Sequence, residues 1–169
     1  MTPSNLQARP AEPSDAPAIA LIYNQGIEDR IATFETEPRT PEQVEAWWAH
    51  NLPIVAVTDG AGGPVVGYAA VFPYADRCCY RGIGEFSVYV RRDWRGRGVG
   101  RVAMEQLIVA AESAGLWKLL SRVFPENRAS LSLMARLGFK EVGVHEKHGK
   151  LDGVWRDCVL VERLLPADL

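Results

Sequence analysis

Long apolar runs are missing from this chain. Nothing in its 169 residues approaches the roughly 20 consecutive apolar residues that carry a helix across a bilayer. The start also lacks a basic segment followed by an apolar one, the pattern of a secretory signal, so a cytoplasmic location is expected. Cysteine is scarce: Cys78 and Cys79 are adjacent, and Cys158 stands far from both. An odd count without metal-type spacing argues for free thiols rather than a disulfide framework or a zinc site. Excess charge of one sign is absent as well. A net charge of −2 gives no global pull toward nucleic acid or an anionic membrane. Histidine is rare. His145 and His148 lie three apart beside Glu146, but no third ligand follows at suitable spacing, so solvated residues are expected there and no metal. No repeat, low-complexity tract or linker divides the chain, and residues 1–169 are read as a single domain with its own core.

What is present in concentration is glycine and arginine, over Arg91 to Arg101. An alternating run, Glu85 to Val90, precedes them and predicts a strand. Phe86, Val88 and Val90 share one face, and Glu85, Ser87 and Tyr89 the other. Val99, Val102, Ala103, Leu107, Ala110 and Ala111 then fall at helical spacing. Gly96, Gly98 and Gly100 therefore sit at a strand-to-helix turn. There the first N–H groups of a helix lack internal partners and carry partial positive charge, and glycine lets a ligand come close to the backbone. With Arg95, Arg97 and Arg101, the turn suits a pyrophosphate. A surface helix start with solvated arginines is the plainer alternative. The Walker pattern fails because no Lys-Ser or Lys-Thr follows. The Rossmann pattern fails on glycine spacing. Arg95-x-x-Gly98-x-Gly100 after a strand instead resembles the acetyl-coenzyme-A signature of the GCN5-related N-acetyltransferases.

Taken in order, Leu6–Arg9 predicts a short strand, and Ser14 an N-cap for a helix carrying Ala16, Ile19, Ala20, Tyr23 and Ile27. Residues 30–39 read as irregular. Thr40-Pro41-Glu42-Gln43 is a capping box with proline at the first helical position, opening a helix that carries Val44, Trp47 and Trp48 and stops before Pro53. Ile54–Thr58 and Val65–Phe72 predict a hairpin around Asp59–Pro64. After the central strand and helix come a strand over Leu116–Phe124, a helix over Asn127–Leu137 closed by Gly138, and strands over Phe139–His145 and Val154–Leu164. The order is too mixed for a doubly wound parallel sheet. End to end it resembles the mixed α/β fold of the GCN5-related acetyltransferases. That likeness implies a largely antiparallel central sheet flanked by helices, with middle strands that splay and hold the cofactor between them.

Several segments resemble one branch of that family, the phosphinothricin N-acetyltransferases and relatives acting on methionine sulfoximine or arsinothricin. They are Ile22-Tyr23-Asn24 with Phe34 to Pro38, Pro73 to Glu85, Glu85-Phe86-Ser87-Val88-Tyr89-Val90, Asn127-x-x-Ser130 with Leu137-Gly138-Phe139, and Gly153-Val154-Trp155-Arg156-Asp157. The resemblance implies acetyl transfer from acetyl-CoA to a small glutamate-like amino acid, without metal, in a homodimer. Glu85 would accept the amine's proton, because transfer needs a neutral amine. The Val90 N–H would stabilise the oxyanion, and the Val88 backbone would orient the pantetheine arm. Arg95, Gly96, Arg97, Gly98, Val99, Gly100 and Arg101 would hold the pyrophosphate. Asn127 and Ser130 would contact the cofactor, or cap their helix, or both. Phe34, Arg77 and Tyr80 would meet the substrate, its anions calling for a guanidinium and a hydroxyl; a plain exposed loop residue is the alternative for Arg77. The chain departs from the branch at Met134, where relatives carry histidine or tyrosine. Methionine cannot protonate a leaving thiolate, which leaves Tyr89 as a candidate, with a structural tyrosine as its alternative. Another amine acceptor, or a coenzyme-A-binding module without catalysis, are the competing functional readings.

Overall fold

The computed structural model describes residues 5–166. β1 (Leu6–Pro10) pairs antiparallel with β2 (Ile54–Asp59), β2 with β3 (Val65–Pro73), and β3 with β4 (Ile83–Val90). β4 then runs parallel to β5 (Lys118–Val123). β5 pairs antiparallel with β7 (Val154–Leu164), and β6 (Lys140–Leu151) closes the far edge, giving the order β1-β2-β3-β4-β5-β7-β6.

The β4–β5 pairing is short. It has three rungs, Ile83 with Lys118, Gly84 with Leu119 and Glu85 with Leu120. Beyond Glu85 the strands part, and Phe86 to Val90 pair with β3 alone. A mixed sheet that splays at its middle is the architecture expected above.

Helices cover both faces. α1 (Ala16–Glu28) and α2 (Pro41–Glu45) lie on one side, burying Ile19, Ile22, Tyr23 and Val44 against Ala56, Tyr68 and Ala70. α3 (Val99–Ser113) and α4 (Arg128–Arg136) lie on the other, burying Val99, Ala103, Leu107 and Met134 against Val57, Val71 and Phe86. Double coverage explains why β2 and β3 read as almost unbroken apolar runs. Met104 and Ile108 join the buried stripe of α3, whereas Val102 and Ala110 stay at its margin. Buried, too, is Met134, in the α3–α4 cluster.

Three expectations need correction. Ser14 is not the N-cap of the first helix. A 3₁₀ turn, Pro13–Asp15, precedes α1, and the Glu12 N–H donates to the Asp15 carboxylate at 2.8 Å. Asp15 also takes two hydrogen bonds from Arg9 of β1, at 2.7 and 2.8 Å. A carboxylate tied to the sheet displaces a hydroxyl from the capping role. The helix opened by Thr40 keeps its capping box, with Gln43 N–H on Thr40 at 3.3 Å and Thr40 N–H on Gln43 at 2.9 Å. It tightens, however, into a 3₁₀ turn over Ala46–His50, because adjacent indoles reach different anchors. Trp47 meets Phe72 and Tyr23, and Trp48 Nε1 donates to the Ala11 carbonyl. Finally, β6 continues past His145 to Leu151, with a register shift between His145 and Gly149 and Lys147 at φ +47°. His148 is therefore in a strand rather than a loop.

Candidate active site

The strand alternation read from the sequence holds in space. Phe86, Val88 and Val90 face α3, whereas Glu85, Ser87 and Tyr89 form the floor of a cavity of about 770 Å³ on the α1–α2 side. The Arg91 N–H donates to the Val66 carbonyl of β3 at 2.9 Å. By alternation, the N–H and C=O groups of Val88 and Val90 point the other way, into the gap left by β5. Arg95 Nε donates to the Val90 carbonyl there at 3.2 Å. A carboxylate on one face of β4 thus stands beside unpaired sheet edge.

At the end of β4 the chain makes a short 3₁₀ turn over Arg92–Trp94 and enters α3 through Gly96 and Gly98, at φ +74° and +84°. A Cβ at either would meet nothing within 4 Å. Gly98 is the N-cap and gives α3 no side-chain cap. Its carbonyl accepts the first helical bond, from Val102, so the N–H groups of Val99, Gly100 and Arg101 are turned outward without intrahelical partners. Gly100 is different: its Cβ would press on Leu133 of α4 at 3.2 Å, so it serves helix packing. Arg95 pairs with Asp29 at 2.5 Å and Arg101 with Glu105 at 2.7 Å, while Arg97 lies over the Trp94 ring. Burial opposes the Asp29 charge, but hydrogen bonds from Arg95 and Arg92 outweigh it and hold its pKa below the ordinary range. A glycine-lined, cationic helix start with open space before it fits the diphosphate of a nucleotide thioester. Across the gap, Asn127 caps α4 by accepting the Ser130 N–H at 3.2 Å.

The cavity brings together residues from distant parts of the chain. Phe34 packs edge-on against Phe124, with centroids 4.8 Å apart, and the two line the site with Cys158, backed by Leu151. Tyr89 is stacked on Tyr68 and edge-on to Tyr23. Burial raises its phenol far above the usual value, so at neutral pH it is a hydrogen-bond donor and a weak acid. Glu85 makes an ion pair with Arg122 of β5, and that hydrogen bond raises the Arg122 pKa. Arg39 lies over the Tyr23 ring and pairs with Glu35 at 2.9 Å. Arg77 and Tyr80 are not brought into this cavity. They belong to the loop before β4, where the exposed Arg77 guanidinium sits over the Tyr80 ring.

Arg122, Arg39 and His148 line the cavity and were missed in the sequence. Arg122 had a signal: one cation among Leu119, Leu120 and Val123, with the parity of Leu120 and two residues past the rung that binds Leu120 to Glu85. Arg39 and His148 had none, because loop geometry and a bulged strand place them. The His145 and His148 rings lie 4.6 Å apart, and among the described residues no group of three metal-type ligands forms.

Splayed sheet, bare helix start and acidic floor together define an enzyme that binds acetyl-CoA and transfers its acyl group to an amine. The chain belongs to the acetyltransferase (GNAT) family, whose model matches residues 23–139. A phosphinothricin N-acetyltransferase from Alcaligenes faecalis is 37% identical, over 90% of this chain and 79% of its own length. An L-methionine sulfoximine/L-methionine sulfone acetyltransferase from Pseudomonas paraeruginosa is 33% identical over 91% of both. Among solved structures, a phosphinothricin acetyltransferase from Sinorhizobium meliloti in complex with acetyl-CoA superposes with a TM-score of 0.87 at 25% identity, covering 95% of this chain and 89% of that one.

Proposed function

We propose that this N-acetyltransferase acts on the primary amine of a small glutamate-like amino acid of the phosphinothricin, methionine sulfoximine or arsinothricin type, and so detoxifies it. The observation that carries the reading is Glu85 on the cavity floor, one residue from the parted edge of β4. In this reading Glu85 takes a proton from the substrate ammonium, directly or through water. The freed amine attacks the thioester carbonyl, whose developing charge meets the Val90 N–H. The Val88 backbone orients the pantetheine arm. Residues 95–101 hold the diphosphate, and Asn127 and Ser130 border it. The departing thiolate gains no help from Met134, which is 1% exposed in the core. Tyr89 supplies a hydrogen bond to it, and the second proton of the amine nitrogen, lost as the intermediate collapses, passes through water to the sulfur.

Phe34, which lines the cavity, packs on the aliphatic part of the substrate, whereas Arg77 and Tyr80 stand outside it in the loop before β4 and take no part in this reading. The volume suits a molecule of this size. A homodimer in the cytoplasm completes the reading. The dimer is supported by the large apolar side chains that the β6–β7 hairpin leaves exposed, Val142, Val144, Val154 and Trp155. Thiol release with Glu85→Gln tests the mechanism. The expected loss in kcat/KM is about 10²- to 10⁴-fold, and near-native turnover across pH refutes it.

A further inference from the structure

Arg122 has no part in the chemistry above, yet it is the group that touches Glu85. It stands where β5 has just left β4, with its guanidinium turned into the cavity. The pair is not sealed: the Glu85 side chain is 28% exposed and that of Arg122 41%. Within the described residues Nη2 alone of the Arg122 fork hydrogen-bonds, and its acceptor is Glu85. Arg122 lines the open cavity with Cys158, and the phenol of Tyr74, outside the lining, is the other titratable group besides Glu85 that bears on it. Burial raises the Cys158 pKa, so it adds no charge at neutral pH. The other lining guanidinium, Arg39, is already held by Glu35.

We propose that Glu85 and Arg122 act together as a receptor for the head of an α-amino acid, Glu85 taking the ammonium and Arg122 the carboxylate. This rests on the acetyltransferase reading and names the feature that selects its acceptor. An α-amino acid carries both charges on one carbon, so it can enter between the partners by exchange. The ion pair is neutral and the zwitterion is neutral, and each charge leaves one opposite partner for another. An amine without the carboxylate brings a lone positive charge to Glu85 while Arg122 still faces it. That like-charge contact in a partly desolvated site disfavours binding. Polyamines and the side-chain amines of proteins are thereby rejected, and amino acids with a free α-carboxylate are accepted. A guanidinium suits the task because its planar fork meets a carboxylate with two donors.

The test compares three acceptors that differ only at that group: L-methionine sulfone, its α-carboxamide and the decarboxylated amine. Each is assayed by thiol release and by calorimetric titration with the native protein, Arg122→Met and Arg122→Lys. The native protein should favour the amino acid over the other two by about 10- to 100-fold, the weight of a charge-assisted contact. Arg122→Met should erase that preference, chiefly through KM, while unfolding cooperatively and binding acetyl-CoA as before. Arg122→Lys should restore part of it. A tie that merely joins β5 to β4 would leave the ratio untouched. Equal treatment of the three by the native protein, or an unchanged ratio in folded Arg122→Met, overturns the proposal. Failure of the native protein to bind acetyl-CoA would instead overturn the acetyltransferase reading, and the calorimetric ranking of the three acceptors would still decide this one.

Discussion

Gly26, inside α1, has no side chain because a ring occupies the place. A Cβ there would stand 2.5 Å from Cε1 and 2.7 Å from Cδ1 of Tyr89. The ring has little room to retreat, being stacked on Tyr68 at 5.7 Å and edge-on to Tyr23 at 5.0 Å. The backbone at Gly26 is helical, so alanine adds no strain of its own and contributes about 1 kcal/mol of helix propensity. Overpacking costs about 1–3 kcal/mol. Gly26→Ala should therefore lower stability by about 0–2 kcal/mol, a fall in Tm of up to roughly 8 °C for a domain of this size. The coupling is more telling than the single value. In a Tyr89→Ala background the obstruction is gone, and Gly26→Ala should become stabilising by about 1 kcal/mol. Urea denaturation of the four proteins of the cycle gives an expected coupling of about 1–3 kcal/mol. Turnover of Gly26→Ala should fall as well, because the displaced ring lies in the cavity floor. An equal gain of about 1 kcal/mol in both backgrounds would refute the reasoning.

Gly98→Ala meets no neighbouring atom but places a Cβ at φ +84°. Stability should fall by about 1–2 kcal/mol, and the Kd for acetyl-CoA should rise about tenfold or more as the ligand is held off the helix start. Unchanged calorimetric affinity would remove residues 95–101 from the diphosphate site. For Asp15, the Arg9 hydrogen bonds hold its pKa below the ordinary carboxylate range. Its contribution to stability is therefore complete above the unfolded value of about 4 and drains away as pH falls through the lower folded value. Asp15→Asn should be less stable than the native protein at neutral pH, and thermal unfolding should show that difference shrinking below about pH 4. A constant difference would mean that the pair does not couple to folding.

What was legible in the sequence was local. The capping box at Thr40, the turn glycines at 60 and 62, the alternation in β4 and the glycines before α3 each specify backbone within a few residues, and each is found in place. What was not legible depends on distant partners. Ser14 looked like a cap until Arg9 claimed Asp15 for β1. The exposed, charged run from Glu146 to Lys150 has no apolar face to announce a strand, and pairing with β7 makes it one. The glycine turn was readable as a candidate nucleotide site because the chemistry proposed for it is backbone chemistry. The cavity beside Glu85 was only half visible. Glu85 shares a readable strand, but Arg122, Arg39 and His148 converge on the site from three separate elements.

The wall of the cavity has its own small core. Phe124, Leu151 and Cys158, with Phe34 against them, form a cluster separate from the two that hold the sheet to its helices. The Phe34 ring fits under Gly149, where a Cβ would come within 2.9 Å, and Arg30 reaches Asp152 of the hairpin turn at 3.0 Å. Leu151 and Cys158 belong to the paired strands β6 and β7, and Phe34 to the irregular stretch before α2, so the patch ties the far edge of the sheet to residues 30–39. Loosening that tie, at Phe34 or at the Arg30–Asp152 pair, should therefore be felt in the cavity wall, where Phe34, Phe124 and Cys158 all stand.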